Sequence, residues 1–305
     1  MLLPMRLLLL SNPALRVVAA GIALAVMASC GSGKKETTDV AETLDSNKAN
    51  IVAVGDKLFS IPSPIQTAML LKKCGAAYNK SMLNIPANIT HYSTTVKKAL
   101  NLGAYGADLG YVILYQQNQD AMGYLSIIKK LSDDVGISGA FNEQLLKRFQ
   151  SNIGNRDSLL AMSSEAYRSS DAFLKENDRT DASALILAGG WIEGLYFTTQ
   201  MVSGKVTDKS ALIQRIGEQK TTLDNLISLL TKYYQQEGYT EFIDALIDLA
   251  SEFDKVEMSY TYVKPTTDEA NKLTTINCTT TVKLPDELLK SITEKAAALR
   301  NSVIQ

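Results

Sequence analysis

The segment LILAGGWIEGLYFTTQ, residues 185–200, decides how the chain is read. It is apolar over most of its length, holds no proline and does not alternate like a strand, so it predicts a buried helix. It nevertheless carries Gly189, Gly190 and Gly194, beside the only tryptophan, Trp191, and a single acid, Glu193. Each glycine costs a helix interior about 1 kcal/mol relative to alanine. A helix that keeps such residues has a use for the missing Cβ, because glycine lets another backbone come close. Gly190 and Gly194, four apart, share a face. A second segment, NLGAYGADLGYVILYQQ at 101–117, repeats the device with Gly103, Gly106 and Gly110 around Asp108. Gly106 and Gly190 lie 84 residues apart, a spacing that two duplicated halves would produce.

The two acids differ in setting. At about 100° per residue, Gly103, Gly106 and Gly110 fall within roughly 60° of one another. Asp108 faces nearly the other way, alongside Tyr111 and Tyr115. Glu193 lies between the angular positions of Gly189 and Gly190, with Phe197 one turn on. Space is thus left beside a carboxylate that the pattern buries, and a buried carboxylate demands a partner. Two readings follow. A Lys, Arg or Tyr from a neighbouring helix pairs with Glu193, or Glu193 anchors a ligand pocket with Trp191, Tyr196, Asp108 and Tyr111 around it. A carboxylate hydrolase would need two acids about 5–10 Å apart across an open cleft, which the spacing does not supply. A membrane span over this segment is excluded by the cost of Glu193 at its middle.

The body of the chain reads as helical from 64 to 262. Leu212, Ile216, Leu223, Leu226 and Leu230 form one stripe; Tyr239, Phe242, Leu246, Leu249, Phe253, Val256 and Tyr260 form the next. Earlier stripes run through Met122, Leu125, Ile128, Leu131 and Val135, with Asn118 as N-cap, and through Leu159, Met162, Ala166 and Leu174. Polar breaks with Gly or Asx residues separate them. Short connections between helices of this length predict an antiparallel bundle. The period is lost near 259–284, where TTINCTTTVKL alternates and predicts a short β-hairpin or an irregular insert. Pro285 then restarts a helix, DELLKSITEKAAALRNSVI, with acids first and Arg300 late, an order that suits the helix dipole. The early stretch IVAVGDKLFSIPSP is read as irregular chain wrapping the bundle. The fold class is all-α, with one helical domain over 51–305.

The N-terminus carries an address. Arg6 and Arg16 precede an apolar run from Val17 to Ala28, too short for a comfortable span and typical of a secretory signal over 1–29. MASC, residues 27–30, resembles the lipobox of bacterial lipoproteins, which implies lipidation (palmitate among the acyl groups) at Cys30. Residues 30–50 are small and polar, the composition of a flexible tether. Losing 1–29 removes two arginines and no acid, taking the net charge from −1 to −3. That is no footprint for nucleic acid.

Cys74 and Cys278 remain, and they form either one disulfide or two separate thiols. The single histidine, His91, excludes a two-histidine zinc site, and we read it as a surface residue. No phosphate-binding loop, nucleophile elbow or calcium loop occurs. No metal or cofactor is expected.

Together with the lipobox, FSIPSPIQTAMLLKK (59–73), YGADLGY (105–111) and GGWIEGL (189–195) resemble a family of predicted helical lipoproteins of Gram-negative bacteria that has no known activity. The resemblance spans most of the mature chain. It implies an envelope location, the outer membrane at its periplasmic face or surface, and transfers no chemistry. The expected function is that of a non-catalytic, lipid-anchored binding or scaffold protein that contacts an envelope protein. The alternative is a small-ligand receptor centred on Glu193 and Trp191, and a carboxylate enzyme comes third.

Overall fold

The computed structural model describes residues 50–305, apart from 55–56, 62–63, 140–142 and 270–272. The signal segment 1–29, Cys30 and the tether up to 49 lie outside the described residues. The described chain is a helical bundle with small β elements, as its periodicity predicts. In order it runs β1 (Asn50–Val54), β2 (Lys57–Ile61), α1 (Pro64–Lys73), two 3-10 turns (Lys80–Met82, Pro86–His91), α2 (Thr95–Leu114), α3 (Asn118–Val135), α4 (Glu143–Ser151), α5 (Arg156–Glu176), α6 (Thr180–Val202) and α7 (Lys209–Leu230). After a 3-10 turn at Thr231–Tyr233 come α8 (Thr240–Phe253), β3 (Glu257–Thr261), β4 (Thr266–Asp268), β5 (Leu273–Thr275), β6 (Thr279–Lys283) and α9 (Asp286–Ile304).

α6 is the axis of the bundle. Every residue from Ala182 to Leu195 is buried, as expected of a helix that is apolar all round. α2 lies along it and is buried from Ala99 to Leu114 except at Gly106. Around this pair, α1, α5, α7 and α9 pack on α6, α3 packs on α2, and α8 bridges α7 and α9. The outer helices are amphipathic: α8 buries Phe242, Ile243, Leu246, Leu249 and Phe253 and exposes Glu241, Asp244 and Asp248.

The α2–α6 contact is backbone against backbone. A Cβ on Gly189 would stand 1.8 Å from the Leu100 carbonyl oxygen, and one on Gly103 would stand 2.0 Å from that of Ile186 and 2.7 Å from the Gly190 nitrogen. The close approach therefore belongs to Gly103 and Gly189 rather than to the four-apart pairs. Gly110 and Gly194 face α1 instead: their added Cβ atoms would meet Ile65 at 3.2 Å and Thr67 at 3.5 Å.

Several expectations are corrected. Residues 50–61 form an antiparallel hairpin, Val54 paired with Lys57 and Asn50 with Ile61, rather than irregular chain. Two residues between the strands and alternating apolar positions were its signal. The helix read through Tyr260 stops at Phe253, and Tyr260 lies in β3. Its helical spacing gives way to pairing with the threonine-rich β6, Tyr260 opposite Thr280. α3 starts at Asn118 with Gln117 in the cap position and no side-chain cap. Cys74 and Cys278 are free thiols, one buried at the end of α1, the other half-buried on the β insert.

The glycine geometry makes a paired prediction. Gly189→Ala forces α2 and α6 apart and should cost about 3 kcal/mol or more, at the upper end of overpacking effects. Gly194→Ala meets only ordinary contacts and should be neutral or stabilise by up to about 1 kcal/mol through helix propensity. Denaturant melts of the two variants test this; equal destabilisation would contradict the assigned contact.

Candidate functional site

The carboxylate that the glycine pattern buries has its partner inside the protein. The Arg300 guanidinium donates from Nε to Glu193 Oε2 at 3.0 Å and from Nη2 to Glu193 Oε1 at 2.8 Å. Nη2 also donates to the Met82 carbonyl at 2.9 Å. The guanidinium lies over the Tyr196 ring, 4.6 Å from its centroid. Glu193 is 0 % exposed and Arg300 6 %. Such a pair is held by bidentate geometry, and removing either half strands a buried charge. Arg300 was read as a dipole-complementing residue near a helix end. It instead occupies the inward stripe of α9, in register with Ile292, Ala296 and Val303. One charged residue on a buried stripe was the signal that could have found it.

Asp108 completes the cluster. The close α2–α6 crossing brings it beside Glu193, although helical angles had put it on a separate face from the α2 glycines. It is 0 % exposed, and neither carboxyl oxygen makes a hydrogen bond of ordinary geometry. Burial pushes its pKa well above the usual carboxylate range, the Glu193 charge adds to that, and Arg300 offsets only part. Burial raises Glu193 too, but Arg300 and the neighbouring Asp108 pull it back. Of the two neighbouring carboxyls, Asp108 is thus the one whose proton is held more tightly, because Arg300 bonds Glu193 directly.

A polar network continues outward from this triad. Asn84, fully buried, donates to Tyr92 Oη at 3.0 Å and to Asn101 Oδ1 at 3.1 Å. Asn101 Nδ2 donates to the Val303 carbonyl at 2.8 Å, and Tyr92 Oη to that of Ile304 at 3.3 Å. Both carbonyls belong to the last turn of α9, where no helical donor reaches them. Tyr124 and Tyr105 donate to the carbonyls of Asn84 and Ile85. The network ties the irregular segment 79–92 and the end of α9 to α2.

The other residues named from the sequence are distributed differently. Trp191 points away from Glu193 and donates from Nε1 to Gln219 Oε1 at 2.9 Å, beside a small cleft with about 300 Å³ of atom-free space, part of it open to solvent. Tyr111 accepts the Asn79 N–H at 3.0 Å and stacks on Tyr78. Tyr196 and Asp108 do join Glu193, but in a sealed cluster. A ligand anchored on Glu193 would have to displace Arg300, and the two adjacent acids have no open cleft between them for a substrate. His91 is exposed, as read. Among the described residues, no three potential metal ligands cluster, and no helix is long and apolar enough to cross a membrane.

Two other features border solvent. One is an apolar cleft between α2 and α6 on one side and α3, α4 and α5 on the other, with about 660 Å³ of atom-free space, part of it open. The second is the β insert, whose five-residue strands β3 and β6 are almost wholly exposed. Its root is fixed on α7, where Val282 packs against Gly217 and Gln214 bonds to the Val282 N–H and the Thr280 carbonyl. Comparison with family models, with curated proteins and with solved structures finds no match for this chain.

The triad predicts a pH dependence. Asp108 binds its proton more tightly folded than unfolded, so its contribution is fully present below the unfolded pKa of 3.8 and is lost as pH rises toward the folded value. Asp108→Asn, which keeps a donor toward Glu193, should therefore melt increasingly above wild type as pH rises from about 4 to 8. A difference in melting temperature that is constant with pH would mean that Asp108 is ionised. Arg300→Met should cost about 3–5 kcal/mol at any pH that leaves Glu193 charged.

Proposed function

We propose that this chain is a lipid-anchored protein of the cell envelope that binds a partner protein without catalysis, and that the β insert is its contact surface. The observation that carries the reading is the exposure of large apolar side chains there: Tyr260 is 67 % exposed, Tyr262 68 %, Leu273 58 % and Ile276 72 %. Soluble domains seldom gather such residues on one projecting element unless something covers them. The ribbon is only two strands wide; Gln214 takes backbone groups of β6 at Thr280 and Val282, so an added strand would pair along β3. A two-stranded ribbon is marginal by itself in water, and a partner strand would complete it.

The triad takes a structural role in this reading. Its ionisable groups neutralise one another in the interior, out of reach of any substrate. In this proposal the lipid on Cys30 contacts the bilayer, the outer membrane is the proposed location, and the small, polar composition of 30–50 suits a tether. No nucleic acid is involved.

Mild crosslinking of the lipidated protein in its own membranes, followed by affinity capture, tests the proposal. One protein should be recovered in near-stoichiometric amount. Replacing Tyr260 and Ile276 with serine should lower its recovery about tenfold or more, as for aromatic hot spots, while the melting temperature stays within a few degrees of wild type. Unchanged recovery from that variant would move the contact off the ribbon, and capture of no specific protein would contradict partner binding.

A further inference from the structure

We propose that the apolar cleft between α2–α6 and α3–α5 binds the chain of a single-chain amphiphile with an anionic head, of the fatty-acid class, with Arg148 receiving the head group. This goes beyond the partner-binding reading and rests on separate residues.

The cleft wall is hydrocarbon. Leu102 from α2, Ile128 from α3, Phe149 from α4, Leu174 from α5 and Ile186 from α6 face it, and its space is narrow throughout. The few polar groups in the wall are already satisfied. Ser163 and Ser170 donate back to the Leu159 and Ala166 carbonyls at 2.9 and 2.7 Å. Ser183 donates to Asp171 at 2.6 Å, and the second Asp171 oxygen takes Lys175, also at 2.6 Å. An occupant is offered no hydrogen bond and has none to break, which suits methylene groups and penalises polar ones.

The cleft does not end in hydrocarbon. Leu145 and Ala166 also border a second space, with about 550 Å³ free of atoms and part of it open to solvent, whose other walls are polar: Gln144, Arg148, Glu165 and Ser169, with Gly139. An apolar slot that adjoins a polar vestibule matches a molecule with a chain at one end and a head at the other. Among the described residues lining that vestibule the cation is Arg148, held by Glu165 at 3.1 and 3.3 Å with both side chains about half exposed. An exposed pair of this kind contributes little, so a ligand carboxylate can take the place of Glu165 at small cost. α4 is the element between the two spaces. It is nine residues long, its buried residues are Leu145 and Phe149, and its outer face carries Arg148.

The test uses the full chain in isolated membranes, where no new acyl transfer occurs, with a hexadecanoic acid bearing a mid-chain diazirine. After irradiation, peptide mapping should place saturable label on 145–149 and 163–174. Unlabelled hexadecanoic acid should displace it, and hexadecanol should compete about two- to fivefold less well, the difference an exposed arginine supplies. Ala166→Phe, which fills the slot, should abolish saturable labelling. Arg148→Ala lies on the exposed rim and should fold normally; it should bring the acid down to the level of the alcohol. Label that is not saturable, or that maps to the β insert, overturns the site. Equal competition by acid and alcohol in the wild type overturns the anionic head, and displacement by a two-chain phosphatidylglycerol as effective as the acid overturns the single-chain assignment.

Discussion

The contact of α2 with α6 at Gly103 and Gly189 sets the terms for the rest of the structure. With carbonyl oxygens where a Cβ would otherwise be, the two helices cross closer than any side-chain interface would permit. At that separation, side chains flanking the crossing cannot avoid one another. Asp108 and Glu193 are therefore forced together in the buried interior, a charge problem that the sequence of the two helices cannot solve alone. The solution comes from the far end of the chain: Arg300 enters from α9 and pairs with Glu193 in bidentate geometry, while burial and the Glu193 charge keep the pKa of the Asp108 carboxyl well above its usual range.

That arrangement couples distant parts of the fold. Arg300 also grips the Met82 carbonyl, and the Asn84–Asn101–Tyr92 network takes up the free carbonyls at the end of α9. The segment 79–92 has only two 3-10 turns of its own, yet it is held on both sides by buried polar bonds. Such networks are valuable when complete and costly when broken, so the centre of this protein is specified by polar geometry as much as by apolar burial. The same feature argues that the centre is structural, because every group in it faces inward.

Function is then sought at the margins. The β insert and the α4 region stand outside the sealed centre. The former offers apolar side chains to solvent, and the latter joins a hydrocarbon slot to a polar rim. Both stand on a rigid bundle, and the ribbon is fixed to it at one end through Gln214 and Val282. That division of buried centre and solvent-facing margins is what supports the proposed binding role.

Local chemistry made much of the fold legible beforehand. Apolar periodicity placed the long helices, α9 matched its predicted residues, and the loss of period near 259–284 marked the β insert. The glycines announced a close helix contact, and Glu193 announced a buried charge in need of a partner. What the sequence left open were relations between segments far apart along it. Which glycines make the contact depends on the crossing angle; Gly103 and Gly189 do, while Gly110 and Gly194 serve α1. That Arg300, 107 residues further on, is the partner of Glu193 depends on how α9 docks, and its inward register was the only trace. The union of Asp108 with Glu193, the free state of Cys74 and Cys278, and the cleft beside α4 likewise arise only when helices assemble. Periodicity and propensity act within one element, whereas charge pairing and enclosed space exist between elements, and tertiary packing alone decides those.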